Sequence, residues 1–282
     1  MECIICSSKE FSKLPFIREV SKYTHKSYPL YKCKNCGLIR PYPLPYHEDN
    51  KLGIYDNPEN IRYYNAKEKI IEDDSFEYKY YFKYFRPFIQ LIDKYKIKGK
   101  SLDIGCGAGH LLKLLSEKGF DSEGLDVSRK LINALKNKFK VYCCDINDKR
   151  LKEDGYNLIT SNQVLEHIEN PEKFVKRLNK LLVKGGYTII AVPYLKGLVP
   201  NILRTKWYGL GYGQHLNFFS KKSLKIMFER NGFEICEIKI LIVNYDHPKF
   251  PRFINLFAEI LSGMIVSINM GDNLFLIARK IK

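Results

Sequence analysis

The sequence has no opening that would export it and no stretch that would anchor it. Its first residues, Met1-Glu2-Cys3-Ile4-Ile5-Cys6, lack the basic start and long apolar segment of a signal peptide. No uninterrupted apolar run approaches the roughly 18 residues of a membrane-spanning helix. Internal repeats and low-complexity segments are also missing. The expected location is therefore cytoplasmic. Acidic residues are in deficit, since 31 Asp and Glu against 47 Lys and Arg leave a formal charge of +16. The basic residues are scattered rather than gathered into one run, which fits a general lysine bias. A polyanion or membrane-surface contact is the sharper reading. With 45% apolar residues over 282 positions, disorder is not a serious competitor. The length suits one α/β domain plus a small accessory unit.

The cysteines are unevenly placed. Cys3-x-x-Cys6 and Cys33-x-x-Cys36 are two knuckles of identical spacing, separated by a loop of ordinary zinc-ribbon length. Two residues between thiolates let a tight turn bring both sulfurs to one tetrahedral ion, and Gly37 suits the turn after Cys36. A segment this short cannot bury a core alone, so a structural Zn2+ would supply the missing stability. A redox pair or unliganded thiols are the alternatives. Four thiolates leave no open coordination position, so such a zinc is not catalytic. Cys106, Cys143, Cys144 and Cys236 lie in or beside predicted strands and read as small buried hydrophobes.

Arg40-Pro41-Tyr42-Pro43-Leu44-Pro45 ends the ribbon in an extended linker. In residues 76–95, Tyr81, Phe82, Phe85, Phe88, Ile89 and Ile92 recur at helical spacing, so an amphipathic helix is expected there. Its aromatic face serves core packing or, alternatively, a lid over a ligand. From Lys100 the pattern becomes strand, turn and helix, repeated. Strands are expected at 101–104, 122–125, 141–144, 157–160, 187–192, 233–243 and 273–278. Helices fall between them, among them 174–182, ended by Gly185-Gly186, and 223–230, stopped at Asn231-Gly232. This alternation predicts an α/β, Rossmann-like fold with a seven-stranded mostly parallel sheet and helices on both faces. Residues 252–268 show an apolar helical face, read as a core or dimer helix or as a membrane-surface contact.

The chemistry centres on Leu102-Asp103-Ile104-Gly105-Cys106-Gly107-Ala108-Gly109-His110, where a strand passes into a helix. Glycines here let the backbone turn sharply and approach a ligand. The spacing is G-x-G-x-G after an acid, not the dinucleotide pattern G-x-G-x-x-G. A second acid, Asp126, ends the next strand, where a carboxylate can take both hydroxyls of a ribose. A third, Asp145, ends the strand after that. One such acid is commonplace as a cap; three in register at the carboxyl edge of an open sheet form a ligand site.

These residues resemble class I S-adenosylmethionine-dependent methyltransferases. The resemblance implies that the loop from Gly105 through Cys106, Gly107 and Gly109 holds the methionine part of the cofactor and that Asp103 orients its amino end. It puts ribose on Asp126 and the adenine amino group on Asp145, with Leu125, Val127 and Ile146 flanking the base. Asn162 and Gln163 would lie near the sulfonium. The likeness continues through Val164-Leu165-Glu166-His167-Ile168, Pro171 and Leu181-Leu182-Val183-Lys184-Gly185-Gly186. Trp207-Tyr208-Gly209, His215-Leu216-Asn217-Phe218-Phe219-Ser220 and Gly232-Phe233 resemble a small-molecule subgroup. An amino-terminal cysteine-knuckle domain recurs in relatives, including enzymes acting on nucleotide-linked sugars. The implied organisation is a zinc-ribbon-like domain at 1–45, a helical linker or lid at 46–98 and a methyltransferase domain at 99–282, with a substrate-side insertion at 194–219.

Methyl transfer from a sulfonium is an in-line displacement whose leaving group is already activated, so the protein supplies alignment and a deprotonated nucleophile. His215 and His167 are the candidate bases, each with a structural alternative: loop anchoring for His215 and packing beneath the pocket for His167. His110 is expected to line the pocket or face solvent. Some ubiquinone-pathway O-methyltransferases, which the Glu166-His167 stretch resembles, hold a divalent ion with two Glu and a His. The other Glu position is Gln163 here, which argues against a catalytic metal. The expected acceptor is a sugar, lipid or polar metabolite. An RNA methyltransferase is the rival, disfavoured because Asn162-Gln163-Val164-Leu165 stands where a base-flipping Asn-Pro-Pro-Tyr-type motif would. An inactive cofactor-binding scaffold and a nicotinamide dehydrogenase are further alternatives, the latter disfavoured by the glycine spacing.

Overall fold

Beginning with two cysteine knuckles, the chain forms a small antiparallel sheet of β1 (Phe11–Val20), β2 (Ser27–Cys33) and β3 (Ile39–Pro41). The computed structural model describes residues 1–20, 26–45, 76–211, 213–242 and 270–282. The expected 252–268 helix and residues 46–75 of the expected 46–98 linker lie outside them. Next comes α1 (Phe76–Lys94), whose Phe85, Phe88, Leu91 and Ile92 fall on one face and are buried.

The sequence then alternates strand and helix as its periodicity predicts. The elements are β4 (Lys100–Ile104), α2 (His110–Glu117), β5 (Asp121–Asp126), α3 (Arg129–Leu135), β6 (Lys140–Cys143), β7 (Tyr156–Asn162), α4 (Pro171–Leu181), β8 (Leu182–Pro193), α5 (Leu198–Leu203), α6 (Lys221–Arg230), β9 (Phe233–Leu241) and β10 (Asn273–Lys280). The seven strands β4–β10 form one sheet in the order β6-β5-β4-β7-β8-β10-β9. The five from β6 to β8 are mutually parallel, and β10 runs antiparallel to both β8 and β9. The strand order reverses between β4 and β7, which leaves a crevice outside their carboxyl ends.

Period-two alternation buries both faces of this sheet. Leu158, Ile189, Ala191, Phe275 and Ile277 point toward α1 and α2, packing against Phe88, Ile92, Leu111 and Leu115. Their neighbours Ile159, Ile190, Val192, Leu274 and Leu276 point the other way, toward Phe174, Leu178, Leu224 and Phe228 of α4 and α6. A strand with two buried faces reads as a nearly continuous apolar run, as residues 189–192 do. Each fully buried Leu, Ile or Phe contributes about 1.5–3 kcal/mol.

Local signals set the helix starts. Ser128 accepts from the Leu131 N–H, Asn170 from the Lys173 N–H, and Pro171 occupies the first turn of α4. At the amino edge of the sheet, buried Glu123 joins four strands. It pairs with Lys100 and Lys140 at 2.7 Å each and accepts from the Tyr156 hydroxyl at 2.7 Å.

The junction between α4 and β8 departs furthest from expectation. Helix α4 ends at Leu181, and Leu182 already has extended backbone, so Gly185-Gly186 does not stop the helix. Register runs from Tyr156↔Leu182 to Leu158↔Tyr187, so residues 183–186 bulge opposite Asn157 alone. Gly185, at φ 79, lets the chain turn back into the sheet. Leu182 is drawn into the strand because its side chain is fully buried.

The cysteine unit shares a core with the large sheet. Cys3, Ile5, Cys33, Cys36 and Leu38 belong to the same buried cluster as Phe219, Leu224 and Phe228. Ile39 also exchanges backbone hydrogen bonds with Phe218 at 3.0 and 2.8 Å. Among the described residues no helix is long and apolar enough to cross a membrane.

Candidate functional site

The glycine loop leaves the carboxyl end of β4 at the crevice. Gly105 and Cys106 donate their N–H groups to the Leu125 carbonyl at 2.8 and 3.0 Å, which ties the loop to β5. Gly105, Gly107 and Gly109 all have positive φ, and Gly109 is the residue on which α2 starts. A Cβ built on Gly107 would meet nothing within 4 Å. At Gly107 the loop thus presents bare backbone to an open space, the cradle a close-fitting ligand needs, while Gly105 and Gly109 pack against Val164 and Leu135. Cys106 is buried beneath the loop against Ile132 and Leu135, and burial raises its thiol pKa.

The three acids differ in their surroundings. Asp103 is 3% exposed and accepts from the Thr160 hydroxyl at 2.7 Å. Burial pushes its carboxyl up to about 7, the Thr160 bond opposing and the Asp126 charge adding to that rise. Asp126 ends β5, its two oxygens accepting from the Gly107 N–H at 3.0 Å and the Ser128 N–H at 2.8 Å. Burial raises it as well, against these bonds. Asp145 is exposed two residues past β6, accepting from the Asn147 N–H at 2.6 Å. Between the last two acids Val127 is 56% exposed, an apolar surface beside polar groups, while Ile146 is buried. Leu125 lies in the core under them.

On the other side of the crevice, β7 ends in Asn162, whose amide donates to the Tyr84 hydroxyl of α1 at 3.3 Å. Gln163 follows in a left-handed conformation, φ 57, its amide donating to the Asn273 side chain at 3.0 Å. Neither Tyr84 nor Asn273 stands out in the sequence, because each arrives from a distant element. His110 opens α2 directly after the loop.

A second cluster begins two residues later. Val164 packs so closely on the loop that a Cβ on Gly105 would collide with it. Glu166 sits in the single turn Leu165–His167, is fully buried, and has no hydrogen-bond partner for either carboxylate oxygen. His215 and His167 face it, each with Nε2 4.0 Å from Glu166 Oε1. Their rings meet edge to face with centroids 4.6 Å apart. His167 Nδ1 bonds the Gln214 carbonyl at 3.0 Å and His215 Nδ1 bonds the Gly209 carbonyl at 2.9 Å. A carbonyl only accepts, so both rings carry their proton on Nδ1 and present a bare Nε2. Burial lowers the His167 pKa to about 4 and also depresses His215, whose neighbour His167 adds to the effect. Burial raises Glu166 to about 8.

The segment carrying His215 is held firmly. The Glu166 carbonyl accepts the Leu216 and Asn217 N–H groups at 2.8 and 3.0 Å, and the Asn217 side chain donates to the Ile168 carbonyl at 2.7 Å. Arg40, from the cysteine unit, donates to the Leu216 carbonyl at 3.2 Å and the Glu169 carbonyl at 3.4 Å. Gly211 must lack a side chain, since any Cβ there would strike the His215 ring. Gly211 does not stand out in the sequence, Asn217 and Arg40 enter it only as members of longer motifs, and the fold shows what each supports.

At the ribbon, the sulfurs of Cys3, Cys6, Cys33 and Cys36 all lie within 4.8 Å of one another. Cys3 and Cys36 sulfurs are 3.5 Å apart, as are those of Cys6 and Cys33. Zinc–sulfur bonds of about 2.3 Å in a tetrahedron put sulfurs about 3.7–3.8 Å apart, so the donor set and spacing fit such an ion. The Cys36 thiol, bonded to Cys3, drives the Cys3 pKa down to about 5.

Comparison with known proteins agrees with this geometry. A family profile described as Methyltransferase domain matches residues 78–238. A ubiquinone biosynthesis O-methyltransferase of Pelagibacter ubique is 30% identical over 194 residues, covering 64% of this chain and 75% of that one. One from Coxiella burnetii is 27% identical over 165 residues, covering 50% and 67%. A crystal structure of an S-adenosylmethionine-dependent methyltransferase from Archaeoglobus fulgidus superposes with a TM-score of 0.55 at 20% identity, covering 77% of this chain and 99% of that one. The last likeness concerns the fold alone.

Proposed function

Given that the chain belongs to the methyltransferase-domain family and is an S-adenosylmethionine-dependent methyltransferase, we propose that it methylates a small-molecule acceptor, a sugar, lipid or polar metabolite. The observation that carries the proposal is the crevice itself. A glycine loop with open space at Gly107 and three acids, Asp103, Asp126 and Asp145, line one edge, and Val164, which packs against Gly105, leads into the turn that carries Glu166 and His167 of the cluster completed by His215. The relatives' name, ubiquinone biosynthesis O-methyltransferase, supports an oxygen acceptor of low molecular weight.

In this reading Asp103 orients the ammonium of the cofactor, Asp126 takes the ribose hydroxyls, and Asp145 takes the adenine amino group. Val127 and Ile146 flank the base, Gly105, Cys106, Gly107 and Gly109 line the methionine portion, and Asn162 and Gln163 hold the sulfonium end. The bound cofactor supplies an electrophilic methyl group. The protein aligns the acceptor lone pair with it and excludes water. Acceptor activation falls to the cluster, where the Nε2 atoms of His215 and His167 are unprotonated at neutral pH. The ribbon holds a structural Zn2+ on Cys3, Cys6, Cys33 and Cys36. The described cysteines are all free thiols, which suits a reducing compartment.

Calorimetric titration with S-adenosylmethionine and, separately, with NAD tests the pocket; binding of the first alone is expected, and binding of neither overturns the reading. The acceptor class is tested by S-adenosylhomocysteine formation in cell extract split by an ultrafiltration membrane that retains RNA and protein. Turnover should follow the filtrate. Turnover confined to a ribonuclease-sensitive retained fraction would instead identify an RNA substrate.

A further inference from the structure

The insertion that carries His215 is seated at both ends on the cysteine unit. Lys196 stands near its start. A Cβ built on Gly37, the residue after Cys36, would lie 3.4 Å from the Lys196 Nζ. Phe218 and Ser220 stand at its end. Phe218 exchanges backbone hydrogen bonds with Ile39, and the Ser220 hydroxyl donates to the Cys36 carbonyl. Between these ends, Leu30 and Ile39 of the unit share a buried cluster with Leu195, Trp207, Leu210 and Phe218.

Arg40 extends this contact to the histidines. Its Nε donates to the Leu216 carbonyl and its Nη2 to the Glu169 carbonyl. Leu216 follows His215, and Glu169 lies just beyond His167, so one guanidinium spans the two segments that bring the rings edge to face. A planar fork can hold two carbonyls at once, where an ammonium is a single point charge. The position of Arg40 is set by the second knuckle. Strand β3 pairs with β2 through Tyr31↔Arg40 and Lys32↔Ile39, and the turn Cys33–Cys36 joins the two strands. The Cys33 N–H donates to the Leu38 carbonyl at 2.8 Å and the Gly37 N–H to the Cys33 carbonyl at 3.0 Å, which closes that turn. Burial works against the guanidinium of Arg40, and the charges of Cys3 and Glu169 oppose that effect. Burial also lowers the Lys196 pKa, with Lys32 adding and Cys36 opposing. Metal binding needs the sulfurs as thiolates. Four thiolates around one divalent ion keep a net negative charge, which attracts both basic side chains.

We propose that Arg40 is a positioning residue for His215 and His167, and that metal on the four cysteines keeps Arg40 in place. The cysteine unit then works as a clamp on the acceptor side of the crevice. This inference deepens the proposed function and rests on it for the zinc and for the role of the histidines. With the clamp closed, the Nδ1 protons stay on the Gly209 and Gln214 carbonyls and both Nε2 atoms remain free to take a proton. With it open, the Leu216 carbonyl loses its guanidinium, the insertion loosens, and the His215 ring exchanges its proton between its two nitrogens.

The test uses the full chain, loaded with zinc and carrying isotopically labelled histidines. Long-range imidazole NMR spectra report which ring nitrogen holds the proton, and His167→Gln and His215→Gln assign the two rings. The loaded wild type should show both rings protonated on Nδ1. Arg40→Lys keeps the charge but loses the fork, so the His215 signals should move toward the tautomer mixture of a free imidazole. Stripping zinc from the wild type should produce the same change, and returning zinc should reverse it. Lys222→Ala removes only an exposed contact to Asn35 at 3.1 Å and should leave the spectrum unmoved. By linkage, Arg40→Lys should also weaken zinc binding at least about fivefold in competition with a chromophoric chelator. If Arg40→Lys folds poorly, Arg40→Gln provides the same comparison. A His215 spectrum indifferent to the Arg40 variants, or to zinc, overturns the clamp. So does a variant whose S-adenosylmethionine affinity falls along with the spectral change, since that reports general loosening. Elemental analysis separates the two ideas: a protein that takes up no zinc removes the zinc reading, whereas uptake with an unmoved spectrum removes the clamp alone.

Discussion

The Ser220 hydroxyl donates to the Cys36 carbonyl at 2.6 Å while accepting the Ser223 N–H at 3.0 Å. One side chain therefore caps α6 and closes the second cysteine knuckle. Ser220→Ala removes both bonds and should cost about 1–3 kcal/mol by chemical denaturation. The knuckle shares its core with the large sheet, so Cys33→Ser should lower the unfolding midpoint of the entire chain in one transition. A ribbon that melts alone, with the main transition unmoved, would contradict that coupling.

Asp103 supplies a pH prediction. Its carboxyl is raised from 3.8 to about 7 by burial. A raised carboxyl means that the folded apo protein binds more protons than the unfolded chain between those values. This contribution to stability is full below about pH 4, falls as pH rises, and is gone above about pH 7. An ammonium bound beside Asp103 would favour the ionised form. Cofactor binding should therefore release close to one proton at about pH 6 and almost none at about pH 8, as measured by calorimetry in buffers of different ionisation enthalpy. Affinity should rise up to about tenfold per unit of pH below about pH 7. Binding with no proton release at the lower pH would remove Asp103 from contact with the amino end.

How far the sequence reached depends on whether a feature is local. The strands around Ile159 and Ile190, the loop from Gly105 to Gly109 and the acid at Asp126 are read from neighbouring residues, and the fold places them where the pattern predicts. The Gly185 bulge was misread as a helix stop because a glycine pair after a helix has the same local signature whether or not the strand has begun. Glu166 was seen only as half of a Glu-His pair. Its other partner, His215, lies beyond β8, and no spacing rule links residues joined by a crossover. The same holds for Arg40 and for the Ile39–Phe218 bridge, which carry the ribbon's hold on the insertion.

Asp126 is expected to contact ribose, and Asp126→Ala should weaken S-adenosylmethionine binding by about 1–3 kcal/mol. The variant also frees the Gly107 and Ser128 N–H groups, so some thermal destabilisation should accompany the loss. Comparison with 2′-deoxy and 3′-deoxy cofactor analogues isolates the contact. The wild type should discriminate against them, and Asp126→Ala should not. Equal discrimination by both proteins would place the ribose elsewhere.

Gly105 and Gly107 share a left-handed backbone but differ in what surrounds them, and that difference gives the sharpest test of the loop. An alanine at either position incurs the strain of positive φ, roughly 1–2 kcal/mol. At Gly105 the new methyl also collides with Val164, behind the loop, so Gly105→Ala must displace the β7 turn. Stability should drop well beyond the backbone cost, with cofactor binding lost as a consequence. At Gly107 the methyl meets no protein atom within 4 Å, so Gly107→Ala should fold with only the backbone cost. If the cofactor fills that space, its affinity must nevertheless fall steeply. Thermal unfolding and calorimetry on the two variants separate the cases. A Gly107→Ala protein that folds and binds S-adenosylmethionine like the wild type would show that the cradle is not where the cofactor lies.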